Sequence, residues 1–396
     1  MSVESMLGDL AGVGRSPTGG YRRFAWTDED LTLREWFRGA AEATGLAVTE
    51  DRVGNQWAWW GDPDASLAAG RPGVVAGSHL DSVPGGGNFD GPLGVVSALR
   101  AVEALRRDGF VPARAIGVAN LVDEEGARFG VACTGSRVLT GAMPRDRALA
   151  LADGDGVTLA EALTRAGRDP DGFDRDDAAL ARVGTFVELH IEQGRWLVDE
   201  GSPVAVASSI WPHGRWRFDF AGEANHAGTT RLADRDDPAL KLAALILKAR
   251  EVATGLGCVA TVGKVRMIPN GVNAIPSAAT GWLDGRGADE EAVRRLVPSI
   301  EDALGVRAVE ESFTATTLFD PALAAGLAEL LGGAPVIGTG AGHDAGVLAA
   351  HGIRSAMLFV RNPTGVSHSP EEHAEPADCE AGAAALTTVL RSLAAT

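Results

Sequence analysis

The sequence predicts an α/β protein, built on a central mixed sheet flanked by helices and carrying an inserted ferredoxin-like α+β domain. Apolar runs of strand length alternate with helix-period segments along most of the 396 residues. That length suits two domains better than one. The stretch from about 207 to 318 reads as strand–helix–strand–strand–helix–strand, the split βαβ pattern. The expected organisation is one α/β domain in two parts, 1–206 and 319–396, with 207–318 inserted between them.

Residues 31–44 read as a helix, with Thr27 to Asp30 supplying capping and acidic residues at its start. A short apolar run at 74–78 follows Pro72-Gly73 and reads as a buried strand. The 92–107 segment is a helix opened by proline and closed by Asp108-Gly109. Residues 115–122 form a second buried strand, and Thr158 with Glu161 makes a capping box. The acidic stretch at 168–177 reads as a solvated loop, and 183–189 as a third strand. Within the insertion, 215–220 alternates as a half-buried strand. A helix at 238–254, strands at 258–266 and 280–284, a helix at 288–304 and a strand at 307–316 follow. Residues 354–360 give one more core strand, and 378–393 a closing helix.

Asp plus Glu number 53 against 36 Lys plus Arg, so the net charge is −17. That sign repels phosphate backbones and anionic lipid, so neither nucleic acid nor a membrane is an expected partner. Small substrates are not constrained in the same way, because a local cationic site overrides the overall field. The three cysteines, Cys133, Cys258 and Cys379, lack CxxC spacing, which argues against a disulfide framework and a thiolate zinc knuckle. The N-terminal residues lack a basic region followed by an apolar run, so no signal peptide is expected. No window approaches the ~20 apolar residues of a spanning helix. The expected compartment is the cytoplasm.

Histidine is scarce, with eight in the chain, so the setting of each matters. His79 ends a strand, and Asp81 follows two residues later, where a carboxylate can hold the imidazole's other N–H. A glycine-rich loop, PGGGNFDG, then delivers Asp90 just before a helix. The strand at 115–122 runs into adjacent glutamates, Glu124 and Glu125. ELHIEQG places His190 at another strand's end, and GVSHSP places His368 in the loop after the last core strand. Ligands of open α/β sheets bind at such strand ends, and mixed His and carboxylate sets suit Zn²⁺, Mn²⁺ or Co²⁺. Each residue alone is more often a satisfied loop residue or a helix cap than a ligand; together they mark a candidate metal site.

Six motifs in order cover nearly the whole chain: GSHLDSVPGGGNFDGPLGVV (77–96), DEEGARFG (123–130), ELHIEQG (188–194), ANHAGTT (224–230), GAGHDA (340–345) and GVSHSPEE (365–372). Together they resemble the M20-type metallo-amidohydrolases. Within these they are similar to the hydantoinase/carbamoylase branch, the N-carbamoyl-L-amino acid hydrolases and allantoate amidohydrolases. The resemblance implies two divalent ions (Zn, Mn, Co or Ni) bridged by Asp90, one completed by His79 and His190, the other by Glu125 and His368. It implies Glu124 as general base and Asp81 as the orienter of His79. It also implies that the inserted domain is a lid and dimerisation domain of a homodimer, with His226 stabilising an oxyanion, in its own subunit or from the partner. Gln193, Asn273 and Arg286 are then substrate contacts, with Arg286 holding a free carboxylate of a small substrate. His343 is a further substrate contact or a support for the metals, with a helix cap as the plain alternative. Without the resemblance, Arg286 in WLDGRG reads as a salt bridge and Asn273 in NGVNAIP as a turn residue.

Arg231 and Leu232 stand after AGTT, where the family has Pro and Met, and Arg22 stands where a small polar residue is expected. These departures bear on substrate identity rather than on hydrolysis. The expected reaction is cleavage of an amide or ureido C–N bond in an N-carbamoyl-L-amino acid or allantoate. The alternatives are a deformylase of an N-formyl amino acid such as N-formylglutamate, an aminoacylase or peptidase, and a non-catalytic metal-dependent binding protein. The last has little reason to retain Glu124.

Overall fold

Buried apolar runs become the inner strands of a nine-stranded sheet in the computed structural model, which describes residues 2–17 and 19–395. Six strands come first: β1 (Ala47–Glu50), β2 (Gln56–Trp60), β3 (Gly73–His79), β4 (Ile116–Leu121), β5 (Val183–Ile191) and β6 (Val204–Ile210). Six follow between residues 213 and 314: β7 (His213–Ala221), β8 (Asn225–His226), β9 (Val259–Ile268), β10 (Ala274–Ile275), β11 (Ala278–Arg286) and β12 (Ala308–Thr314). The last three are β13 (Thr317–Leu318), β14 (Val336–Thr339) and β15 (Arg354–Val360). The chain divides into two units. The first is Met1–Ser208, Leu318–Ile337 and Gly342–Thr396; the second is Ser209–Thr317 and Gly338–Ala341.

The large sheet runs β1-β2-β4-β3-β5-β15-β6-β13, with β14 paired to β6. Its inner strands β4, β3, β5 and β15 are mutually parallel, while β2 and β6 join them antiparallel. Parallel strands covered on both faces read as continuous apolar runs, and β3 is buried at every position. The Pro92–Arg107 helix packs on β3 and β5 and receives the Val3–Leu10 and Pro376–Ala394 helices. Leu93, Val96, Leu99, Leu386 and Val389 belong to the resulting core. The Asp344–Ala350 helix packs on β5 and β15, with Thr134–Thr140 beside it.

The second unit pairs its strands in the order β12-β7-β11-β9, all antiparallel, plus a two-residue β8–β10 ladder. Alternation along β7 buries Trp216, Phe218 and Phe220 against Leu242, Leu245, Leu296 and Ile300 of the Pro238–Leu256 and Glu290–Leu304 helices.

Three expectations change. The first long helix begins at Asp28, because Asp28, Glu29 and Asp30 themselves form its first turn. The acidic 168–177 stretch is not simply solvated: Asp169 caps the short Pro170–Gly172 helix, and Asp176 accepts from Ala179 N and Arg52 N. Strands β2 and β13 of the large sheet have no counterpart among the expected elements. β13 is two residues long, and the Trp-rich β2 is buried at four of its five positions without alternation. Among the described residues, no helix is long and apolar enough to cross a membrane, and Cys133, Cys258 and Cys379 are free thiols.

Candidate metal centre

The candidate ligands come from two strand ends and three loops of the first unit. His79 is the last residue of β3 and His190 lies one residue from the end of β5. His79 Nδ1 lies 3.1 Å from the Asp81 carbonyl and 3.3 Å from its carboxylate. His190 Nδ1 lies 2.9 Å from the Ile191 carbonyl. These oxygens can only accept, so each Nδ1 carries a proton and each Nε2 is the nitrogen available to a metal ion. After β3 the chain loops to Asp90, and Gly91 (φ 85°) turns it into the next helix. A Cβ on Gly91 would meet the His79 ring at 2.4 Å, so only glycine fits there. After β4, Asp123 adopts φ 57°. The next two amides, Glu124 N and Glu125 N, then donate to the two oxygens of Asp81 at 3.2 and 3.1 Å.

Two groups of potential metal ligands result, and both include Asp90: His79, Asp90 and His190, then Asp90, Glu125 and His368. Two donors each about 2.1 Å from one tetrahedral ion stand about 3.4 Å apart. Here Asp90 Oδ1 lies 3.2 Å from His190 Nε2 and 3.7 Å from His79 Nε2. His368 Nε2 lies 3.4 Å from Asp90 Oδ2 and 3.7 Å from Glu125 Oε2. The two oxygens of Asp90 thus serve different groups. Nε2 of His79 and of His190 is buried without a hydrogen-bond partner, which costs free energy unless an acceptor of the lone pair meets it. The donor set fits two divalent ions.

Electrostatics point the same way. Burial penalises the charge of Asp90, yet His190 and His368 hold it well below the usual carboxylate range. Burial and the charge of Asp90 push Glu125 up to about 7. Burial, only partly offset by His79, raises Glu124 well above the carboxylate range, with Asp344 and Glu125 adding to the rise. Contact with Asp90 pushes His368 up to about 9. Carboxylates that raise one another's pKa in a buried place are short of positive charge.

Glu124 belongs to neither ligand group. Its Oε2 stands 3.8 Å from His79 Nε2, its Oε1 3.6 Å from the Cys133 thiol and 4.0 Å from His343 Nδ1. Gln193 reaches the same centre: its Nε2 donates to Asp90 Oδ2 at 2.9 Å and lies 3.3 Å from His368 Nε2. His343 stands at the N-cap of the Asp344–Ala350 helix, but its side chain makes no capping bond. Its ring centre lies 4.5 Å from that of His190 with the planes tilted by 56°, and both its nitrogens are buried without partners. Burial, reinforced by His190, holds its pKa well below the ordinary value.

The second unit carries the remaining expected residues. His226 lies on β8 and accepts at Nδ1 from Gly228 N (3.0 Å), which leaves Nε2 as the N–H. The carbonyl of Asn273 accepts from Ala227 N, in the turn before β10. Arg286 is not a free fork. Asp284 takes its Nε and Nη2 at 2.7 and 2.9 Å, and the Gly340 carbonyl takes Nη1 at 2.8 Å. The salt bridge read from WLDGRG is therefore present. Arg231 is exposed and paired with Asp234, Leu232 is exposed beside it, and Arg22 stacks on Phe24.

Several residues of the centre were missed in the sequence. Cys133, set aside as a scattered thiol, touches Glu124. Glu188 is fully buried and accepts from Ser78 Oγ and Ala345 N, joining β3 to the helix that follows His343. Glu372 accepts from the backbone N–H groups of Phe89 and Asp90. It lies four residues past His368 in GVSHSPEE, where nothing in the sequence marks its backbone partners.

Residues 75–392 match the family model described as peptidase family M20/M25/M40. The chain is 36% identical to the N-carbamoyl-L-amino acid amidohydrolase of Geobacillus stearothermophilus, over 98% of this chain and 97% of that protein. It is 30% identical to the allantoate amidohydrolase of Escherichia coli, over 99% and 98% of the two chains. A crystal structure of a hydantoinase/carbamoylase family amidase from Burkholderia vietnamiensis superimposes with a TM-score of 0.87 at 31% identity, covering 100% of this chain and 97% of that one. On a match of this extent and identity, the chain belongs to the peptidase family M20/M25/M40, as a hydrolase of its amidohydrolase branch.

Proposed function

We propose that this hydrolase cleaves the carbamoyl or ureido C–N bond of a small substrate with a free carboxylate, an N-carbamoyl-L-amino acid or allantoate, using two divalent ions that share Asp90. The observation that carries this reading is the pair of ligand groups joined at Asp90, with Glu124 beside them and outside both. His79 and His190 would hold one ion with Asp90, and Glu125 and His368 the other, and Zn, Mn, Co or Ni would suit the mixed set. Bound there, the ions supply positive charge that polarises a carbonyl and acidifies water. Glu124 takes the proton of the attacking water and returns it to the leaving nitrogen. Asp81 receives the Nδ1–H of His79 and so keeps the Nε2 lone pair in the ligand direction. The names of the N-carbamoyl-L-amino acid and allantoate amidohydrolases above support the substrate class.

The second unit is read as a ferredoxin-like lid and dimerisation domain. Support comes from its unpaired edge strand β9, which leaves Val259, Val265 and Ile268 exposed, and from exposed Leu240 and Leu247 on its first helix. His226, donating through Nε2, is the proposed oxyanion partner, and Gln193, Asn273 and His343 are proposed polar contacts of the substrate. Of the five N–H groups of Arg286, three are engaged. One on Nη1 and one on Nη2 remain to receive a carboxylate. The test is a release assay on metal-loaded protein across N-carbamoyl-L-amino acids, allantoate, N-formyl amino acids, dipeptides and a carboxylate-free ureido analogue. Ammonia from the first two, and little turnover of the analogue, is expected. Formate release, dipeptide cleavage, or equal turnover of the analogue would overturn the substrate assignment.

A further inference from the structure

We propose that Glu372 is the positioning residue for the Asp90–Glu125–His368 half of the centre, tying the loop that carries Asp90 to the loop that carries His368. The proposal rests on the two-ion reading and adds a residue to it. Glu372 Oε1 accepts from Phe89 N at 2.9 Å and from Asp90 N at 3.0 Å, across 283 and 282 positions of sequence. Its other oxygen lies 3.4 Å from Ser367 Oγ, which in turn lies 3.2 Å from Asp90 Oδ2. The backbone of Glu372 closes its own turn by donating to the Ser369 carbonyl. One buried carboxylate thus fixes the backbone of the shared ligand and, through Ser367, touches the neighbour of His368. The glycine-rich loop is shaped around it: a Cβ on Gly87 would lie 2.4 Å from Glu372 Oε1.

The two halves of the centre depend on this contact unequally. His79 and His190 stand on β3 and β5, with Nδ1 anchored to Asp81 and Ile191. His368 stands on no strand, has a positive φ of 55°, and is half exposed. Its place relative to Asp90 is set by contacts between loops, and Glu372 makes the buried ones. Removing the carboxylate should loosen the His368 group and spare the strand-borne pair.

The experiment is a calorimetric titration of metal-stripped protein with Zn²⁺, comparing wild type, Glu372→Gln, Glu372→Ala and Gly87→Ala, each also followed by thermal melting. Wild type should bind two ions in two steps. Partners behind metal ligands typically contribute about 10–100-fold in affinity. Glu372→Ala should therefore weaken the second step by about 10–100-fold and leave the first nearly unchanged. Glutamine still presents an oxygen to both N–H groups, so Glu372→Gln should keep both steps close to wild type. Gly87→Ala crowds the same carboxylate from the other side and should reproduce the selective loss; it decides the matter if Glu372→Ala does not fold. With two steps in wild type, an unchanged second step in Glu372→Ala, an equal loss in both steps, or a glutamine variant as weak as alanine would each overturn the proposal alone. A wild type that binds a single ion overturns the two-ion reading, and the proposal with it.

Discussion

Glu124→Gln is expected to lower kcat by about 10²–10⁴-fold, the usual cost of losing a general base, while the bound metal stays at the wild-type level. Glutamine keeps the shape of the side chain and the backbone N–H that Glu124 gives to Asp81. It cannot take a proton from water. Because Glu124 lies outside both ligand groups, its replacement should not cost an ion, and that separates it from Glu125. The neighbouring Glu125→Gln should instead lose metal from the His368 group. Steady-state kinetics with elemental analysis of the same samples checks both variants. Wild-type turnover in Glu124→Gln would mean that the adjacent glutamates have been given each other's roles.

Asp90→Ala should abolish turnover and reduce bound metal below one ion per chain without unfolding the protein. Oδ1 of Asp90 faces His79 and His190, and Oδ2 faces His368 of the group that includes Glu125, so its loss removes a ligand from both groups at once. Two cations brought close with no shared anion between them also repel strongly in a buried site. The side chain of Asp90 bonds only to groups of the centre, Gln193 and Ser367 among them, and its backbone N–H to Glu372 survives the substitution. Comparing the melting of metal-free variant and metal-free wild type therefore isolates folding from loading. Metal content near two in the variant would rule out bridging by Asp90.

The parts of the centre that sit on buried strands were legible in the sequence. β3 and β5 are apolar runs that stop on or next to a histidine, and a parallel strand buried on both faces leaves such a run nothing to alternate with. The glycine-rich loop and the adjacent glutamates announced themselves by composition. Contacts that join distant loops were not legible. Glu372 acts on backbone 282 residues away, and neither periodicity nor charge marks a carboxylate whose partners are N–H groups. Cys133 gave no sign either, since its place beside Glu124 depends on a left-handed backbone at the N-cap of Thr134–Thr140. Arg286 is the instructive intermediate case. Strand period places residues 284 and 286 on one face, so its pairing with Asp284 was readable from WLDGRG, yet the resemblance drew attention to the substrate instead.

The most direct measurement is a titration of metal-stripped protein with Mn²⁺ while ammonia release from an N-carbamoyl-L-amino acid is followed. Two-ion catalysis predicts no turnover before metal is added, a rise to full activity at two equivalents per chain, and loss of that activity on chelation. A plateau at one equivalent, or turnover undiminished in the stripped protein, would contradict it.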